Sequence, residues 1–197
     1  DSPGFKEKFS SEIKKFAELT NHKSQGFRAP TFSLNDDSLW AIDVLEENNY
    51  MYDSSVVPAK TSMYGSPNAE NKPYRITSKS IEKNDSSGKI IEFPLLVTKF
   101  LGKKIPAAGG FYLRTLPTKI TKKAITNYEK LGIPATFYIH SWELTPEHIP
   151  KIQLPFKDNF TTFHNIDKAF DRMNDILNEF EFTSFSNYIN NEMDLVN

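Results

Sequence analysis

With 197 residues, the chain is long enough for one domain of ordinary size with a real core, and its 24 Lys and Arg nearly balance 25 Asp and Glu. Neither sign forms a long run, which argues against nucleic acid as a partner and favours a neutral or weakly charged one. The absence of cysteine excludes disulfides and thiolate metal sites, and no apolar stretch approaches the roughly 20 residues a membrane span needs.

The opening Asp1-Ser2-Pro3-Gly4 has neither the basic nor the apolar region of a signal peptide, so the chain reads as soluble, with its compartment unassigned. Asp1 and Ser2 are cap residues and Pro3 suits a first turn, which predicts a helix at once and a start cut from a larger protein. Phe5, Phe9, Ile13, Phe16 and Leu19 recur at helical spacing and predict that helix over 3–20. A short buried strand follows from Gln25 to Ala29, its end fixed by Pro30. Asn35 and Asp36 are caps for a second helix carrying Leu39, Trp40, Ala41, Ile42, Val44 and Leu45, and Asn48-Asn49 ends it. Tyr50 to Val57 predicts another strand.

Residues 58–88, rich in Pro, Ser, Asn and Lys, predict a long loop excursion. Lys89 to Val97 predicts an edge or interrupted strand, because it contains Pro94. Ala107-Ala108-Gly109-Gly110 predicts a flexible turn. Ile120, Ala124, Tyr128 and Leu131 mark a third helix closed by Gly132, and Pro134 to His140 reads as a strand. A helix near 165–180 lies within a helical extension over 150–197. This alternation predicts an α/β protein with a mostly parallel sheet, taken as one domain over 1–197.

Arg28, Asp53 and His140 are the polar residues that end predicted strands, and the C-terminal ends of parallel strands share one mouth where active sites are found. Each also has a structural reading: Arg28 as a brace for a loop carboxylate, Asp53 as a turn cap through Ser54 and Ser55, His140 as a satisfied core residue. His22, His148 and His164 read as surface or capping residues. No His-x-x-x-His or His-Glu-x-x-His spacing points to a metal site. Aromatic residues are 13% of the chain, and Trp40, Trp142, Tyr64, Tyr112 and Tyr138 have faces that could stack on sugars, with Trp40 the one expected in the core.

Gly26-Phe27-Arg28-Ala29-Pro30-Thr31-Phe32-Ser33-Leu34, Leu39 to Leu45 and Tyr52-Asp53-Ser54-Ser55 resemble the polysaccharide deacetylases, in the subgroup associated with exopolysaccharide gene clusters. Glu92-Phe93-Pro94, Ala108 to Arg114 and Phe137-Tyr138-Ile139-His140-Ser141-Trp142-Glu143 continue the resemblance in order, over about residues 3–189. Ser141 stands where the subgroup usually has Pro. The resemblance implies a distorted (β/α) barrel, here incomplete because its N-terminal strands are absent. It also implies hydrolysis of N-acetyl or O-acetyl groups on a polysaccharide with the help of a divalent metal, zinc in the family's usual case.

By resemblance, Arg28 orients the catalytic aspartate, Asp53 lines the far side of the groove, His140 is the general acid, and Trp142 and Tyr138 border the acetyl pocket. The family's catalytic base and metal ligands, in an Asp-Asp and a His-x-x-x-His motif, belong before the opening helix. The chain is therefore expected to supply the acid and groove of a parent enzyme and to bind no metal itself. The alternative is a noncatalytic glycan-binding or structural module. The expected partner is an acetylated polysaccharide. An open sheet edge is expected to be covered by a second copy, giving a homodimer, or by the helix at 3–20 or 165–180. Arg28, Asp53 and His140 are expected within about 15 Å of one another, with Trp142 on the rim and 58–88 nearby.

Overall fold

The computed structural model describes residues 3–61, 63–149 and 152–192, so the proposed caps Asp1 and Ser2 lie outside the described residues. The chain divides into two compact units, Asp1–Pro106 and Ala107–Asn197. Among the described residues, no helix is long and apolar enough to cross a membrane.

In the first unit, α1 (Pro3–Thr20) forms where its apolar stripe recurs, but only part of that stripe is buried. Phe9 and Ile13 pack on the core, while Phe5, Phe16 and Leu19 stay exposed. Phe9 sets its ring edge against Phe27 of β1 (Gly26–Phe27), so α1 lies against the strand at one end of the sheet. Asn35 caps a 3-10 turn over Asp36–Ser38 reciprocally: its side chain accepts from Asp37 N, and Ser38 Oγ accepts from Asn35 N. Helix α2 (Trp40–Glu47) follows and buries Ala41, Ile42, Val44 and Leu45; Asn48 caps its end and Asn49 takes a left-handed φ of 61°.

The sheet holds β2 (Tyr52–Asp53), β3 (Tyr74–Ile76) and β4 (Ile90–Glu92) beside β1, in the order β1-β2-β4-β3. The first three in that order are parallel, with Phe27, Asp53 and Glu92 in register, and β3 runs antiparallel to β4. Strand β4 is therefore interior and not an edge, and its ladder stops before Pro94, so 89–97 takes the other form expected of it, an interrupted strand. The 58–88 excursion is not merely a loop, since it supplies β3 and buries Ala69, Tyr74, Ile76 and Ile81 in the core. The buried Tyr74 hydroxyl donates to Ile81 O and ties the excursion to itself.

A second sheet, β5 (Val97–Phe100) and β6 (Lys103–Pro106), is an antiparallel hairpin. Leu101 and Gly102, at φ 48° and 77°, have the two positive angles that a tight hairpin turn requires.

The second unit contains α3 (Gly110–Thr115), α4 (Thr118–Lys130), α5 (Ser141–Leu144), α6 (Phe156–Phe163), α7 (Ala169–Leu177) and α8 (Phe185–Glu192). Lys122 of α4 binds both Asp175 of α7 and Glu179 just beyond it, at 2.8 and 2.7 Å. The turn expected to be flexible is packed closely. Ala107 and Ala108 are buried, and a Cβ on Gly109 (φ 62°) would fall 1.5 Å from Tyr138 O. The expected strand at 134–140 is not a ladder strand; it carries one bridge, at Thr136, and its end is taken over by the cap of α5.

Because Ile76 is wholly buried and comes from the excursion, Ile76→Ala should destabilise the protein by about 2–5 kcal/mol in urea unfolding. A loss below about 0.5 kcal/mol, the range of an exposed substitution, would show the excursion to be peripheral.

Candidate functional site

The structure groups the sequence candidates into two sets, one in each unit. In the first, the ends of β1, β2 and β4 are joined by side chains more than by backbone ladders. Arg28 Nε donates to Ser54 O at 2.8 Å, and its Nη2 donates to Ser54 Oγ at 2.7 Å. Ser54 Oγ donates onward to Phe93 O at 2.8 Å. Ser55 Oγ accepts from Ala29 N at 2.8 Å and donates to Asp53 Oδ1 at 2.7 Å. Glu92 Oε1 accepts from Val56 N at 3.0 Å, and Oε2 accepts a longer bond from Ser55 N at 3.4 Å. These amides turn to a carboxyl group and leave the ladder, which is why β2 is two residues long and not the eight of the predicted strand.

Asp53 and Glu92 are both 0% exposed. Burial raises the Glu92 carboxyl well above its ordinary 4.5, the Asp53 charge adds to that, and the two amides oppose it. Burial likewise raises Asp53 from 3.8, against the hydrogen bonds from Glu92 and Ser55 and the charge of Arg28. Asp53 Oδ2 has no donor among the ordinary hydrogen bonds of the described residues, yet Glu92 is hydrogen-bonded to Asp53. Two carboxyl groups buried in contact favour holding one proton between them, the direction in which burial pushes both, Glu92 the further. Asp53, expected to line a groove, is therefore enclosed, and it acts by fixing Ser55. Arg28 is half-buried, its guanidinium 5.8 Å from the Phe32 ring centroid.

In the second unit His140 is the N-cap of α5, and Glu143, three residues on, turns its carboxylate back to it. Glu143 Oε2 accepts from His140 N at 3.1 Å and lies 2.9 Å from its ring Nδ1. The other carboxylate oxygen receives Arg114 Nε at 2.8 Å, in an ion pair whose side chains are 3% and 1% exposed. Arg114 is fixed in turn: Nη1 donates to His164 O at 2.7 Å and Nη2 to Thr161 O at 3.0 Å. Arg172 and Asn165 both donate to Arg114 O, so the arginine's own backbone is bound as well. The His140 side chain is 52% exposed, stacked on Trp142 at 5.6 Å and edge-on to Tyr138 at 5.4 Å. It is thus not a buried core histidine. With Nδ1 committed to a carboxylate, Nε2 is the nitrogen left to exchange a proton with solvent or a substrate.

Trp142 and Tyr138 pack their rings against that of His140. Trp40 meets Phe5 and Phe9, and His164 caps the end of α6 and stacks on Phe160. Sequence reasoning did not select Glu92, Arg114 or Glu143. Glu92 was visible as one charge inside Ile90-Ile91-Glu92-Phe93, and Glu143 as an acid three residues after His140. For a metal, the residues present do not fit: among the described residues no three His, Asp or Glu side chains converge as a site needs. The adjacent aspartates Asp36-Asp37 are exposed on a capped 3-10 turn with no histidine joined to them.

Residues 54–190 match the family described as a domain of unknown function, DUF3473. No curated protein and no solved structure matches the chain.

The shared proton gives a definite pH dependence. Glu92 titrates at a raised value when folded, so its stabilisation is complete below the unfolded value of 4.5 and is lost as pH rises toward the folded one. Glu92→Gln puts a permanent amide donor beside Asp53. The melting temperature of this variant relative to the parent should climb as pH is raised from 5 to 9; a difference that stays constant over that range would exclude the shared proton.

Proposed function

The chain belongs to the DUF3473 family, a domain of unknown function, and we propose that it supplies the general acid and part of the glycan groove of a polysaccharide deacetylase. The observation that carries this reading is His140, half-exposed and held through Nδ1 by a buried glutamate that is itself ion-paired to Arg114. A carboxylate behind an imidazole fixes its orientation and stabilises the imidazolium form. Trp142 and Tyr138 add an aromatic border of the kind that packs against a sugar and its acetyl methyl.

In hydrolysis of an N-acetyl group, water adds to the acetyl carbonyl, the C–N bond breaks, and the leaving amine must take a proton. His140 Nε2 gives that proton as the bond breaks, while Glu143 retains Nδ1–H and offsets the positive charge that precedes the transfer. For an O-acetyl group the departing alkoxide takes the same proton. Within the first unit Arg28 is held through Ser54, and Asp53 and Glu92 fix the same strand ends through the Ser55 hydroxyl and the amides of Ser55 and Val56. The reading assigns the base, the metal ligands and the divalent metal that activates water in such enzymes to residues other than those described.

In the full-length protein, acetate release from acetylated chitooligosaccharides, followed by proton NMR, should fall about a hundredfold in His140→Ala with metal content unchanged. Glu143→Gln should lower the rate by about tenfold or more through loss of orientation, with KM little altered. The 197-residue chain alone should release no acetate above background. An unchanged rate in His140→Ala overturns the assignment, and full-length protein that binds the oligosaccharide without releasing acetate establishes the noncatalytic alternative.

A further inference from the structure

Next to the Arg28 corner, the first unit has a cleft of about 440 Å³ between the 30–35 segment and the 60–67 loop, a size within the range of small-molecule sites. Phe32 and Tyr64 form its aromatic part, with ring centroids 5.2 Å apart and planes tilted by 51°. Phe32 is buried and carries the Arg28 guanidinium on its ring, whereas Tyr64 remains partly exposed as a platform. The rest of the lining is mixed, with Leu34, Met63 and Pro67 beside the polar Thr31, Asn35 and Lys60, and without an acidic side chain.

The two walls are held in different ways. Thr31 and Phe32 are consecutive non-glycine residues at φ 56° and 52°, a left-handed geometry that a β-branched residue rarely adopts and that concentrates at ligand sites. On the other wall, Thr61 Oγ1 donates to Tyr64 O at 2.6 Å and accepts from Tyr64 N at 3.0 Å, fixing the backbone that bears the platform. Asn35 Oδ1 is committed to Asp37 N, so its side chain offers the amide Nδ2 as a donor.

An aromatic face beside neutral donors and one lysine, with no carboxylate to pair a cation, is suited to a ring that is apolar on one face and hydroxylated at its rim. We propose that this cleft is a subsite for one neutral pyranose unit of a glycan, which stacks on Tyr64 and accepts hydrogen bonds from Asn35 and Lys60. The choice of a sugar rests on the glycan reading above, while the site itself rests on the cleft.

The test uses the whole chain, labelled with 15N, and the neutral probe tetra-N-acetylchitotetraose at millimolar concentration. Amide shifts should saturate in residues 30–35 and 60–67. Tyr64→Ala should weaken binding at least tenfold, and Tyr64→Phe should stay within twofold of the parent. Should Tyr64→Ala unfold, Tyr64→Leu carries the same expectation, since it keeps apolar bulk against Phe32 without the aromatic face. Absence of shifts in both segments, or parental affinity in the alanine or leucine variant, overturns the subsite. A silent cleft together with His140-dependent acetate release removes the subsite and leaves the deacetylase reading standing. A cleft that titrates, together with no acetate release by the full-length protein, keeps the subsite and removes that reading.

Discussion

Two carboxyl groups buried against each other, Asp53 and Glu92, impose the arrangement of the first unit. A carboxyl group taken out of water must be neutralised or given donors, and this pair uses both remedies. Glu92 collects the amides of Ser55 and Val56, which ends the β2 ladder after Asp53. Ser54 and Ser55 are thereby presented to the end of β1, where one receives Arg28 and the other the amide of Ala29. Three parallel strands of two or three residues would be a weak sheet on backbone hydrogen bonds alone. Here the side-chain network closes what the ladders leave open.

The second unit solves a similar problem with the opposite chemistry. Glu143 is as buried as Glu92, but it meets a guanidinium where Glu92 meets another acid. A carboxylate paired in this way keeps an oxygen for the imidazole of His140, and its position is inherited from Arg114, whose donors reach the main chain at Thr161 and His164. The exposed histidine thus stands on a chain of contacts that leads inward to the α6 end and the turn after it. Removing either buried partner would leave a charge without compensation, which costs more than the pair contributes when intact.

Much of the helical structure was legible, because α1, α2 and α4 declare themselves by apolar spacing and by Asn35, Asn48 and Gly132 at their ends. The strands were legible only as regions: the apolar runs within 50–57 and 89–97 were visible, but not that a glutamate side chain would replace ladder partners. The same rule of apolar runs misread 134–140, since His is an uncommon N-cap and its contact with Glu143 was not weighed against a strand ending. The 97–106 hairpin escaped notice because Leu101-Gly102 lacks the Asn or Asp that usually announces such a turn. The excursion concealed its core residues by spacing them irregularly, with Ala69, Tyr74, Ile76 and Ile81 too far apart to show a period. Among the candidate residues, sequence order singled out Arg28, Asp53, His140, Tyr138 and Trp142, while Glu92, Glu143 and Arg114 became meaningful only through their partners in space.

The close approach of Gly109 and Gly110 to Tyr138 has a consequence for how this protein can change over time. A methyl group on Gly109 would strike the Tyr138 carbonyl oxygen, and one on Gly110 would lie 2.6 Å from the tyrosine hydroxyl. Tyr138 in turn presents its ring at right angles to that of His140. Both glycines also have positive φ, 62° and 50°, so a side chain at either is strained, and both positions bear on the residue that packs against the imidazole although neither carries a functional group. A smaller residue at 138 would relieve the contact at Gly110, which is with the far end of the side chain, but not the one at Gly109, which is with the backbone, so a second-site selection would separate the two glycines.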